Sequence, residues 1–229
     1  MLVMFPKARK GVTKIFIAEI ITLIVGVLSG ILTVIITKAG GIENFSFEGA
    51  MNSSAKTVLI CSIAAAALLL LSGLLKIIGY IQAAGDEEYF TRAIIYAVIG
   101  VVLYVIAGFL QNKTGVVMEW IYTIVIAIAE LMQLLVMTST VNGLAELSYR
   151  CRRDDLESRG STINKIVGTV FSLNIALVIA GRLLRLFMSE NVVDTITMIV
   201  TIIIVILTII AYILYLGYLG KVSSMLRRN

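Results

Sequence analysis

Glu130 and Gln133 stand near the middle of the apolar run Val116 to Met137, three positions apart and therefore on one face of any helix the run forms. An ionisable side chain at the centre of a membrane helix costs about 2.5–3.5 kcal/mol on insertion scales, so it persists where a partner or a function offsets that cost. Two chemistries suit Glu130. One is a site for a solute or a proton. The other is a hydrogen bond between helices, with Asn174, Ser172 or a threonine of the last apolar run as partner. Glu19 and Lys76 fall at similar depths from one end of their runs, and an ion pair between them is expected. Toward the other end Glu119 matches Arg185 in depth, with Arg182 one turn deeper, so an external ion pair, or simple snorkelling of these side chains to the interface, is expected. Thr195, Thr197, Thr201 and Thr208 can bond their own helix backbone and need no further role.

Little other chemistry is available. The 229 residues include no histidine, which removes the commonest general base at neutral pH and the commonest metal ligand. Cys61 lies in an apolar run and Cys151 in a charged segment at the opposite membrane face, so they cannot pair within one chain. No phosphate-binding GxxxxGK[ST] loop and no dinucleotide-binding GxGxxG after a strand occurs. No catalytic residue, metal site or cofactor is therefore expected, and an enzyme is not.

The elements that must position these residues are apolar helices. Hydrophobic residues make up 59% of the chain and charged residues 14%, with a mean hydropathy of +1.02, far from a soluble composition. Six runs reach or approach the roughly 20 residues that cross a bilayer: Ile15 to Ile36, Val58 to Ile81, Ala93 to Leu110, Val116 to Met137, Ile166 to Phe187 and Val192 to Leu219. The one proline, Pro6, precedes the first run, so continuous spans are expected. The reading is an all-α bundle of six transmembrane helices forming one domain, 1–229. The first run is too long for a cleaved signal and reads as a retained span. Trp120, Tyr122, Tyr212, Tyr215 and Tyr218 suit interfacial belts. Asp86 and Ser161 are the expected N-caps of the third and fifth helices.

Of the 19 basic residues, 14 fall on the side holding both termini and the loops around Asp86 and Arg152, and 5 on the other. Cytoplasmic flanks carry the excess of Lys and Arg, so both termini are expected in the cytoplasm and anionic headgroups at that face are expected partners. The basic residues flank apolar runs rather than form a polar domain, which argues against nucleic acid. The longest external loop, 38–57, carries Ile42, Phe45, Phe47 and Met51 and is expected on the membrane surface. Asn52-Ser53-Ser54 matches a glycosylation acceptor but lies too near the second span for occupancy to be expected. A prokaryotic plasma membrane is the expected location.

Aligning Lys14, Arg92 and Lys165 brings Gly30, Gly108 and Gly181 into register sixteen residues later, each after a small residue. Gly73, Gly143 and Gly217 echo this in the even spans. Three parallel helical hairpins, 14–84, 92–150 and 165–225, would follow. Gly26, Gly30, Gly108 and Gly181 are then the expected sites of close helix packing, and Gly26 to Gly30 also forms a GxxxG. The hairpin plan resembles that of mitochondrial carriers, but their proline-acidic-basic signature is absent. Six spans resemble small bacterial vitamin-uptake subunits, again without a diagnostic motif. The sparse polar groups and small loops favour a scaffold or accessory subunit that binds a protein partner, lipid or a second copy of itself; the alternative is a small transporter with a site around Glu130.

Overall fold

A computed structural model describes residues 5–38, 53–111 and 115–228 and shows six helices: α1 (Pro6–Lys38), α2 (Ser53–Ala84), α3 (Tyr89–Leu110), α4 (Val116–Arg150), α5 (Asp154–Leu184) and α6 (Glu190–Arg228). All six contain a stretch long and apolar enough to cross a membrane. The expectations for loop residues 39–52, including Asn52, fall outside the described residues.

Every helix runs past its apolar stretch at the end of the bundle that holds both termini. α4 has 35 residues, about 52 Å at the usual rise per residue, against an apolar layer of about 30 Å. Its last turns therefore stand beyond that layer. α1 begins at Pro6, where a fixed φ suits the first helical position and the missing N–H would be unpaired anyway. The next two amides, of Lys7 and Ala8, donate to Asp86 Oδ2 at 2.9 and 2.7 Å. Asp86 thus caps α1 from the α2–α3 turn; the expectation that it caps α3 is corrected. Ser161 is likewise no cap, because α5 starts at Asp154. Asp154, Asp155 and Glu157 fill the first turn of α5, where acids complement the helix dipole, so the charged stretch after Arg152 is helical rather than a loop.

α4 ends in a Schellman motif. The amides of Arg152 and Arg153 donate to Tyr149 O and Ser148 O at 2.8 and 2.9 Å, and Arg152 has φ 56°. An arginine there accepts a left-handed conformation that usually goes to glycine, and its exposed side chain keeps a cation in the turn.

Each helix packs on the next in sequence, and α6 returns to α1, closing a ring of six. The packed core lies at the end holding the termini, where Val12, Ile15, Phe90, Leu144, Leu147, Tyr215, Tyr218 and Leu219 are fully buried. Farther from that end, the buried side chains among the described residues thin out to Ser72, Val25, Ala107, Ala129, Ile204 and Val193. Among the described residues, burial in the far half is therefore sparse. The outer surface is apolar: Leu70, Phe109 and Phe187 are 72%, 75% and 83% exposed.

The close helix crossings do not use the expected glycines. A Cβ on Gly26, Gly30 or Gly108 would meet nothing within 4 Å, and one on Gly181 would make only ordinary contact with Thr197. Among the described residues, none of the four stands at a close backbone crossing. The backbones meet instead at Gly11 and Gly79, where a Cβ on Gly11 would lie 2.4 Å from Gly79 O and one on Gly79 would lie 2.8 Å from Gly11 O. Gly143 packs under the Phe90 ring, whereas Gly73 and Gly217 face open space. The glycine register that suggested three equivalent hairpins has no counterpart in packing.

Candidate functional site

Inside the ring lies a cavity of about 400 Å³ to which all six helices contribute. Glu19 and Thr22 come from α1, Lys76 and Tyr80 from α2, Tyr96, Gly100 and Tyr104 from α3, and Gln133 and Met137 from α4. Val167 and Phe171 of α5 and Thr208 and Tyr212 of α6 complete the wall.

One end of the cavity is built around the Glu19 carboxylate, which is 4% exposed. Lys76 Nζ lies 2.8 Å from Glu19 Oε1, so the expected ion pair is present. The Tyr212 hydroxyl donates to Glu19 Oε2 at 2.7 Å, and the Tyr215 hydroxyl stands 3.5 Å from Oε1, at the limit of contact. Both carboxylate oxygens thus face donors, the arrangement a buried carboxylate requires. Around this pair the small hydroxyls tie neighbouring helices together. Ser72 donates to Ala18 O at 2.8 Å and meets Thr22 at 2.7 Å, while Tyr80 meets Thr140 at 3.0 Å. Each hydroxyl has a partner on another helix, so the network links α1 to α2 and α2 to α4 within the apolar interior.

Glu130 stands beside the wall. Its Oε1 accepts from the Tyr104 hydroxyl at 3.0 Å and its Oε2 from Asn174 Nδ2 at 3.3 Å. The expected partner Asn174 is therefore found, with Tyr104 in addition, and three helices meet at one carboxyl. Gln133 lines the cavity but is exposed to it. Away from the cavity, Glu119 pairs with Arg182 rather than Arg185, and the Arg182 guanidinium lies 5.8 Å from the Trp120 ring centroid. Those three side chains form a unit at the end away from the termini.

Sequence reasoning missed the tyrosines. Tyr212, Tyr215 and Tyr218 have the depth of an interfacial belt, but Tyr215 and Tyr218 are fully buried and Tyr212 holds Glu19. That expectation is corrected. The available signal was spacing: Tyr80 follows Lys76 by four residues, and Tyr212 and Tyr215 are three apart, so each pair shares a helix face.

Compared with models of protein families, with curated proteins and with solved structures, the chain matches none of them. Function must be argued from the cavity itself.

Proposed function

We propose that the chain is a multi-pass protein of the plasma membrane, crossing it six times with both termini cytoplasmic, and that it binds and passes a small solute through the ring. The observation that carries this reading is the cavity lined by all six helices, with the Glu19–Lys76 pair and its tyrosines at one end. Its volume is within the range of small-molecule sites, and its lining combines a few placed polar groups with apolar wall, as such sites do. A solute with one charged or strongly polar end fits: that end would compete for Glu19 or Lys76, and its apolar body would lie against Met137, Val167 and Phe171. The dense core lies between the cavity and the end with the termini, and in this reading the solute enters from the opposite, external side. Orientation rests on the 14-to-5 distribution of basic residues.

The scaffold reading draws support from Gly26, Gly30 and Gly108, which lie free on the outer surface where another helix could approach. It gives no reason for a lined cavity around a buried ion pair.

Cysteine accessibility tests the proposal. In a background with Cys61 and Cys151 replaced by serine, Ala97→Cys places a thiol on the cavity wall and Leu70→Cys places one on the outer surface. A polar, membrane-impermeant thiol reagent added outside sealed cells should modify the cysteine at 97 and leave that at 70 unmodified. Native Cys151 should react only when the reagent reaches the cytoplasmic face. Protection of position 97 from both faces in the folded protein would mean a dry interior and would remove the transport reading.

A further inference from the structure

A second cavity, of about 660 Å³, opens at the end of the ring that holds the termini, between α1, the first turns of α5 and the last turns of α6. Arg153, Arg159, Lys221 and Arg228 surround it, and Asp155 is the one acid in its wall. Asp155 is already occupied: its Oδ1 and Oδ2 accept from Arg153 Nε and Nη2 at 2.8 and 2.9 Å. Arg159, Lys221 and Arg228 make no ion pair among the described residues, whereas Lys76, Arg92, Arg150 and Arg182 each meet a carboxylate. Three uncompensated cations from two helices therefore converge on one recess. Like charges held together repel, and a bound anion removes that repulsion.

The rest of the wall says which anion. Phe16, Leu156 and Met225 give the recess an apolar side, and Gly217 and Gly220 leave it flat on α6. The recess spans the level at which α6 changes from the apolar run ending at Leu219 to Lys221. A free phosphate needs only the cations. An apolar side at the depth where the lipid-facing surface ends suits the glycerol and first methylenes of a lipid, while guanidinium forks suit its phosphate oxygens.

We propose that this recess is a binding site for the phosphate headgroup of an anionic phospholipid. The site rests on the chain spanning the bilayer but is independent of the central cavity, so its failure leaves the thiol-accessibility result untouched.

Native mass spectrometry of the full chain in neutral detergent tests it, with phosphatidylglycerol and phosphatidylcholine of identical acyl chains as probes. Phosphatidylglycerol should bind roughly a hundredfold more tightly, since each of the three cations at an anionic surface is worth roughly fivefold. The variant Arg159→Gln/Lys221→Gln/Arg228→Gln should lose roughly a hundredfold of that affinity by the same measure and keep its affinity for phosphatidylcholine. Lys7→Gln/Arg9→Gln/Lys10→Gln, at the same end but outside the recess, should lose less than about fivefold. If the first triple variant does not fold, Lys221→Gln alone, on an exposed residue, should show a loss of about fivefold and decides the question. Equal binding of the two lipids, or equal losses in the two triple variants, would overturn the site. Displacement of phosphatidylglycerol by inorganic phosphate, with no lipid preference left, would assign the recess to a free phosphate and overturn the lipid.

Discussion

Glu19 is the residue on which the interior depends, because a buried carboxylate is tolerated only while its donors remain. Lys76→Met keeps the apolar stem but removes the ammonium, leaving Glu19 without its cation. Breaking one side of such a pair costs about 3–5 kcal/mol, and the partial exposure of Lys76, 30%, places this variant at the lower end. Denaturant unfolding in mixed micelles should show that loss, with much of it recovered in Glu19→Gln/Lys76→Met; an unchanged midpoint in the single variant would exclude the pair as a determinant of stability. Glu130 answers a different question. Glu130→Gln can still accept from Tyr104, and a flip of the Asn174 amide restores the second bond, so stability should fall by less than about 1 kcal/mol. Glu130→Leu leaves the Tyr104 hydroxyl and the Asn174 amide unpaired and should cost about 1–3 kcal/mol. If Glu130→Gln stays folded but abolishes the cellular phenotype, Glu130 serves as a solute or proton site that an amide cannot replace; a normal phenotype makes it a bond between helices. Two interior contacts, Glu19 with Lys76 and Glu130 with Asn174, were legible because counting along a helix gives depth, and complementary groups at one depth have reason to meet. The same counting matched Glu119 with Arg185, whereas the contact is with Arg182 one turn away. The tyrosines were not legible. Counting gives depth but not direction, and where every face of a helix is apolar no periodicity separates the inner face from the lipid face.

Among the elements, the same blindness to direction explains the glycines. Gly30, Gly108 and Gly181 are in register along their helices, yet the first two look outward and the third meets only the tip of Thr197. Gly11 and Gly79 lie outside that register, and their backbones touch. Gly11→Ala or Gly79→Ala should each destabilise by about 1–3 kcal/mol or more, because the added methyl meets backbone that cannot rotate away. Gly26→Ala and Gly108→Ala should be neutral or stabilising by up to about 1 kcal/mol, since alanine is the better helix former and nothing opposes it. Thermal unfolding of the four variants side by side checks the assignment; a large loss at Gly26 or Gly108 would point to a contact with another chain. Helix number and order were plain from the apolar runs. Helix length was not, because the extensions from Pro6 into α1 and from Asp154 into α5 are mixed in polarity and are held by tertiary contacts, such as Asp86 on the first turn of α1, that no local pattern announces.

For the molecule as a whole, the distribution of packing is the informative property. Among the described residues, side chains are densely buried at the end with the termini and sparsely buried beyond the level of the cavity, while the outer surface is apolar. In water such a surface would drive aggregation; in lipid it is matched to its solvent. A ring densely packed at one end and holding an ion pair beside a cavity lined by all six helices is what the proposed solute site requires. An experimental structure of the chain in lipid nanodiscs, at a resolution that shows ordered water, tests this most directly. The expected result is a six-helix ring with the Glu19 and Lys76 side chains facing a water-containing cavity bordered by Tyr96, Tyr104 and Tyr212. A bundle in which side chains fill that space, or in which Glu19 turns to lipid, would contradict it.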